Sequence, residues 1–199
     1  MKTKKSVFCR NSRQTEETMR IITGLARGRK LVSPDGMDVR PTAEVTKEAV
    51  FSAIHFEVEG ARMLDLFAGT GQMGLEAISR GAKSATFVES GRPSLEALRA
   101  NIAACGFEEQ CKVIAMDALG FLKIGGGEYD VAFIDPPYGQ GLAQAALPLV
   151  AQQMAPGGVI LCETDRHEEM PETAGSFRLI KTRRYGKATI HTYRAQEEE

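Results

Sequence analysis

No apolar run in this 199-residue chain approaches the roughly 20 residues that a membrane-spanning helix needs. The basic start, Met1-Lys2-Thr3-Lys4-Lys5, is not followed by the apolar stretch of a secretory signal. Both absences point to a cytoplasmic protein. Cysteine is sparse, with Cys9, Cys105, Cys111 and Cys162 and no C-x-x-C pair, and the histidines, His55, His167 and His191, are scattered. The expectation is isolated reduced thiols and no metal site. Net charge is almost absent, at −1, but it is segregated. Residues 1–30 carry nine Lys or Arg against Glu16 and Glu17, a net +7 that leaves −8 for the remainder. A second basic cluster, Lys181, Arg183, Arg184 and Lys187, lies near the C-terminus. Such segregation fits a polyanionic partner met by one face, and equally a solubilising tail with a solvated strand.

What is present is ordinary for a globular domain. The chain is 43% hydrophobic and 26% charged, enough to pack one α/β domain with a small appendage. Residues 1–18 are polar and aperiodic and read as a flexible leader. Residues 19–32 fit two short strands around glycine turns, and 33–41 a loop. Thr42 is a plausible N-cap for a helix to about residue 56, with Val45, Ala49 and Ala53 at i, i+4, i+8 and Val50 and Ile54 beside them. From residue 63 strands and helices alternate, and two closing strands, 177–185 and 188–193, turn at Gly186. Repeated β-α units imply a mostly parallel sheet with helices on both faces and an antiparallel addition at the end. Such a sheet binds ligands beyond the carboxyl ends of its strands.

Chemistry-bearing residues fall at those ends. The strand ending Asp65-Leu66-Phe67 runs into Ala68-Gly69-Thr70-Gly71, which opens a helix at Gln72-Met73-Gly74. Gly69 and Gly71 let backbone approach a ligand, and the helix start offers free N–H groups. Glu89 closes the next strand, where a carboxylate accepts from ribose hydroxyls. The Gly69-x-Gly71-x-x-Gly74 spacing also satisfies the NAD fingerprint. Asp65, on the strand before the glycines, leans toward S-adenosyl-L-methionine by offering a hold for its methionine portion. Asp117-Ala118 follows the third core strand, with Asp117 either an acceptor for the cofactor's adenine or the N-cap of the next helix.

The apolar strand 131–134 runs straight into Asp135-Pro136-Pro137-Tyr138. Two prolines stiffen the loop. A stiff loop can aim the Asp135 carboxylate and a proline carbonyl at one exocyclic NH2, which has two donors to satisfy. Tyr138 offers a face on which a base can stack, worth about 1–3 kcal/mol. An aryl amine is a poor nucleophile because its lone pair is delocalised. Two in-plane acceptors orient it toward a methyl donor, and positioning with electrostatics supplies the acceleration.

Together these segments resemble the ordered motifs of class I amino-methyltransferases. The stretch Arg20-Ile-Ile-Thr-Gly-Leu-Ala-Arg-Gly-Arg-Lys-Leu, then Arg40-Pro41-Thr42 and Lys47-Glu48-Ala49-Val50-Phe51, resembles the RsmD-like family of bacterial 16S rRNA guanine-N2 methyltransferases. That resemblance covers roughly residues 19–194. It implies a Rossmann-like, seven-stranded, mostly parallel sheet with an antiparallel closing strand and a small N-terminal β-hairpin/helix extension. Residues 19–58 would be the RNA-binding extension and 59–195 the S-adenosyl-L-methionine-dependent domain. The cofactor residues would be Asp65, Phe67, Ala68, Gly69, Gly71, Glu89, Asp117 and Ala118. The catalytic loop would be Asp135, Pro136, Pro137 and Tyr138. Arg20, Arg27, Arg29, Lys30 and Arg40 are candidate phosphate contacts. The implied substrate is guanine N2 in a 30S assembly intermediate; a monomer with no membrane or metal partner is expected. The chain departs from the family pattern Asp-Arg-Val-Arg-Glu, with Val45 at the first Arg and Lys47 at the second, and has Ser52 where the family has Asn. The loop alone fits adenine N6 of DNA or RNA as well as guanine, and the charge alone would also suit a non-catalytic RNA-binding module.

Overall fold

The computed structural model describes residues 19–34 and 44–196. Two helices come first, α1 (Glu44–Ala53) and α2 (His55–Val58). Strands and helices then alternate as β1 (Arg62–Leu66), α3 (Gln72–Ser79), β2 (Ser84–Glu89), α4 (Arg92–Cys105) and β3 (Cys111–Ala115). They continue as α5 (Ala118–Ile124), β4 (Tyr129–Ile134), α6 (Leu142–Ala151) and β5 (Met154–Asp165). Three further strands close the chain: β6 (Thr173–Ala174), β7 (Phe177–Tyr185) and β8 (Ala188–Ala195). One sheet takes them all in the order β3-β2-β1-β4-β5-β8-β7-β6, parallel from β3 to β5 and antiparallel beyond.

This is the expected α/β class, with eight strands among the described residues, one more than the seven expected. The addition, β6, is two residues long, too short for any alternation of side chains to announce it. The parallel strands read as apolar runs because both faces are covered. Met63, Leu64 and Leu66 of β1, and Val131 to Ile134 of β4, are all buried. One core, with Val50, Phe51, Ile78, Phe87 and Leu98, lies on the α1–α4 side. The other, with Phe121, Leu122, Leu147, Val150 and Tyr193, lies under α5 and α6. Each fully buried Leu, Ile or Phe contributes about 1.5–3 kcal/mol. Helix α4 begins with Pro93 in its first turn and ends at Gly106 with φ +72°, so its boundaries are written in sequence.

Three local expectations are corrected. Residues 19–32 form no pair of strands. Instead a single antiparallel bridge joins Arg20 to Lys30, and turns fill the space between. Close contact with α3 dictates this: a Cβ on Gly24 would stand 1.7 Å from the Ser79 carbonyl oxygen. The helix expected to about residue 56 is interrupted at Ile54, and α2 restarts it. Its buried stripe is Thr46, Lys47, Val50, Phe51 and Ile54, whereas Val45 is 69% exposed and Ala53 is exposed. The helix is rotated because the Lys47 ammonium finds partners inside, donating to the Arg20 carbonyl at 2.6 Å and lying 3.6 Å from Glu76. The leader 1–18, the Thr42 cap, Cys9 and Arg40 lie outside the described residues, as does most of the 33–41 loop.

Candidate active site

The strand order reverses direction between β1 and β4, and the loops after β1, β2, β3 and β4 gather at that crevice. The first turn leaves β1 through Phe67, whose φ of +64° makes it the one non-glycine residue with positive φ among the described residues. Such a backbone costs roughly 1–3 kcal/mol and is held by its surroundings. Here Ala68 N–H donates to the Val88 carbonyl at 3.0 Å and Gly71 N–H to the Ala68 carbonyl at 2.8 Å. The glycines are not equivalent. A Cβ on Gly71 would meet Leu98 at 2.2 Å, and one on Gly74 would meet the Phe87 ring at 2.3 Å, so packing requires both. A Cβ on Gly69 would find open space. Gly69 thus faces a region that a ligand can enter, whereas Gly71 and Gly74 are also held by packing.

Three carboxylates surround this turn. Asp65 is 2% exposed, and its Oδ2 accepts from Gly74 N–H at 2.9 Å, so it braces the start of α3 from behind the loop. Burial pushes its carboxyl up to about 7, against the Gly74 hydrogen bond. Folding therefore favours the protonated form. Stability from this group is complete below about pH 4, the unfolded value, and is lost as pH rises through about 7. Asp65→Asn keeps an acceptor for Gly74 but cannot ionise. Urea midpoints measured between about pH 4 and about pH 8 should fall in the wild type relative to the variant, and parallel profiles would refute the assignment.

Glu89 is gripped by backbone. Its Oε2 accepts from Gly69 N–H at 2.8 Å, and its Oε1 from Ser90 and Gly91 at 2.9 and 2.6 Å. Asp117 caps α5, Oδ1 accepting from Gly120 N–H at 2.7 Å. Capping and ligand binding do not compete here, because a carboxylate has about four acceptor positions. Glu89, Asp117, Phe67, Ala118 and Pro137 together line a cavity of 250 Å³. Val88, Met116, Leu119 and Leu142 complete its apolar walls. Five sequence-predicted residues from four separate loops thus meet in one slot.

The Asp135–Tyr138 loop leaves β4 directly beside this slot. Asp135 N–H donates to the Leu66 carbonyl at 3.3 Å, which ties the loop to the end of β1. Pro136 is buried and Pro137 forms the slot wall. The Tyr138 hydroxyl donates to Glu163 Oε1 at 2.7 Å, and Gly139 N–H to Glu168 Oε1 at 2.6 Å. Glu163, 4% exposed at the carboxyl end of β5, was not among the predicted site residues. Its signal was the same as for Glu89: an acidic residue ending an apolar strand.

The basic residues of the N-terminal segment are differently placed. Arg20 is engaged by Glu44, with Nε to Oε1 at 2.8 Å and Nη2 to Oε2 at 3.0 Å. Arg27, Arg29 and Lys30 are exposed around one concavity and form no salt bridge among the described residues. Asn101 of α4 fastens this segment to the glycine turn. It accepts from Val32 N–H at 2.7 Å and donates to the Val32 and Thr70 carbonyls, each at 3.0 Å. A larger cavity of 720 Å³, bordered by Leu25, Phe56 and Gly81, lies where the strands begin and holds none of the predicted residues. The smaller slot lies at the carboxyl ends of the parallel strands, where open parallel sheets bind ligands. Among the described residues no helix is long and apolar enough to cross a membrane, and no cluster of His, Cys, Asp or Glu could hold a metal ion.

Comparison with known proteins agrees with this geometry. The family model described as conserved hypothetical protein 95 matches residues 19–194. Ribosomal RNA small subunit methyltransferase D of Haemophilus influenzae is 34% identical over 88% of this chain and 93% of its own. The Escherichia coli K12 protein of the same name is 31% identical over 89% and 90%. The solved structure of Escherichia coli yhhF superposes with a TM-score of 0.80 at 31% identity, covering 91% of this chain and 99% of that one.

Proposed function

The chain belongs to the family of ribosomal RNA small subunit methyltransferase D, and from that premise we propose that it methylates the exocyclic N2 of a guanine in 16S rRNA, with S-adenosyl-L-methionine as donor. The observation that carries the reading is the shared wall: Pro137 of the Asp-Pro-Pro-Tyr loop lines the same slot as Glu89 and Asp117. A methyl donor seated there lies against the loop that holds the acceptor.

The residues present fit that cofactor. The apolar walls suit an adenine ring, with Asp117 and Ala118 at its edge. Glu89, already fixed by backbone donors, accepts from ribose hydroxyls. Phe67, Ala68, Gly69 and Gly71 bring backbone to the methionine end, and Asp65 supports that turn from behind. Bound S-adenosyl-L-methionine supplies a methyl group activated by its sulfonium charge. The chain's own part is to present the nitrogen. The Asp135 carboxylate and the Pro136 carbonyl accept the two amine hydrogens and aim the lone pair. Asp135 then takes the proton the amine sheds. Tyr138 stacks on the base, its ring held by Glu163.

Arg27, Arg29 and Lys30 meet phosphates, with Arg20 and Arg40 as further contacts. Residues 19–58 act as the RNA-binding extension and 59–195 as the methyltransferase domain. The substrate is a small-subunit assembly intermediate in the cytoplasm, and the enzyme is a monomer. Tyr138→Ala should lower kcat/KM about 5- to 150-fold through lost stacking, and Glu163→Ala by less, with Glu163→Gln recovering most of the loss. Equal activity in Tyr138→Ala would remove the stacking role. Mass spectrometry of digested 16S rRNA from a deletion strain tests the whole reading. One N2-methylguanine should disappear and return with the wild-type gene. An unchanged set of modifications would reject it.

A further inference from the structure

The second basic cluster has a place in the fold that the catalytic loop makes informative. Between residues 173 and 195 the chain carries six Lys or Arg and no Asp or Glu. One of the six, Arg194, pairs with Glu57 of α2. Arg178, Lys181, Arg183, Arg184 and Lys187 are all exposed and form no salt bridge among the described residues. The protein as a whole has a net charge of −1, so this concentration is local.

Strand register locates it. Ile134, the last residue of β4, stands in one row with Cys162, His191 and Thr182. The next row holds Glu163, Ile190 and Arg183. That row is level with Asp135, the first residue of the catalytic loop, and Glu163 is the residue that holds Tyr138. Asp135 and Arg183 are therefore separated by three strand spacings, about 14 Å. Arg184, Tyr185 and Lys187 lie farther in the same direction, at the tip of the β7–β8 hairpin. The Gly186 turn, φ +60°, thus points past the carboxyl ends of the parallel strands.

Face follows from alternation. Arg183 shares its face with Ile190, and Ile190 belongs to the core cluster that contains Ile21 and Leu31 of the N-terminal segment. Lys181 lies on that face too, because its partner Thr192 is two residues from Ile190. The catalytic loop is consequently flanked. On the β1 side stands the segment bearing Arg27, Arg29 and Lys30, fastened to Thr70 by Asn101. On the β5 side stands the hairpin.

We propose that the β7–β8 hairpin is a second phosphate-binding surface, in which Arg183, Arg184 and Lys187 hold the RNA strand on the side of the target nucleotide opposite the N-terminal segment. It rests on the reading of the substrate as RNA. Guanidinium forks suit phosphate oxygens, and cations grouped at a hairpin tip, Arg183 on one face of β7 and Arg184 on the other, release counterions when they meet them. Two anchors on either side of Tyr138 fix a strand from both directions while one base is drawn out to the slot. Charges on an outlying strand also guard against edge-to-edge aggregation. That role needs no cation at the turn and predicts a loss of solubility rather than of affinity.

The test uses the full chain and a variant with Arg183→Gln, Arg184→Gln and Lys187→Gln. Affinity for 16S rRNA is measured over a series of salt concentrations, with S-adenosylhomocysteine affinity as the folding control. The slope of log affinity against log salt should become shallower by about 2, from about 0.7 per phosphate contact on single strands. KM for the RNA should rise about tenfold and S-adenosylhomocysteine affinity should hold. If the wild type binds rRNA and the soluble variant matches it in slope and KM, the hairpin has no such role and the proposed function stands. If the wild type itself does not bind rRNA, the proposed function falls and the hairpin's role with it.

Discussion

Asp135→Ala should lower methyl transfer by about a hundred- to a thousandfold while S-adenosylhomocysteine binds as in the wild type. The split follows from position. Asp135 is anchored by its backbone N–H to the Leu66 carbonyl, at the mouth of the slot but outside its lining. In the proposed mechanism, removing its carboxylate takes away one of two acceptors that orient the amine and the acceptor for the departing proton. It leaves the apolar walls, Glu89 and Asp117 intact. The effect should fall on kcat, because the lost interactions strengthen as the nitrogen becomes tetrahedral. Calorimetry with S-adenosylhomocysteine and single-turnover methylation separate the two quantities. Full activity in the variant would show that the loop does not act through Asp135.

Lys47→Met should cost about 3 kcal/mol of stability, at the low end for a broken buried ion pair. Lys47 is 1% exposed and Glu76 0%, and together they hold the N-terminal segment against α3. Glu76 accepts from Ile22 and Thr23 N–H at 2.7 and 3.0 Å, and from Arg80 Nε at 2.8 Å. Burial lowers the Lys47 pKa, and Glu76 opposes that. Methionine fills the space but leaves the Arg20 carbonyl without its donor and Glu76 with one cation instead of two. Arg80 limits the damage, which is why the low end applies. A melting temperature about 6–12 °C lower is expected. Adding Glu76→Leu should give no recovery, since Ile22 and Thr23 would then lose their acceptor. A melting temperature within about 2 °C of wild type would mean that the latch carries no weight.

Lys47 also marks where sequence reading stops. A lysine in a helix reads as solvent-facing, and the partners that bury it, Glu76 and the Arg20 carbonyl, are far away in the chain. The stripe through Val45, Ala49 and Ala53 was a reasonable apolar face, and a paired charge overrode it. Arg20 is the converse: legible in sequence as a candidate phosphate contact, it also pairs with Glu44, which chain order does not show. The slot residues were legible for a different reason. Parallel strands place their carboxyl ends together, so Glu89, Asp117 and Pro137 needed only strand boundaries to be brought to one crevice. Asp117 proved to cap α5 and to line the slot at once, which composition alone could not decide. Glu163 was within reach of the same logic. What chain order could not supply was its hydrogen bond to Tyr138, which depends on β5 lying beside β4.

The most direct test incubates the purified protein with methyl-labelled S-adenosyl-L-methionine and immature 30S particles from a strain lacking the modification. The RNA is then digested and its nucleosides are separated. The label should appear in N2-methylguanosine and nowhere else, and should be lost with Asp135→Ala. Label in N6-methyladenosine, or no label in guanine, would contradict the account.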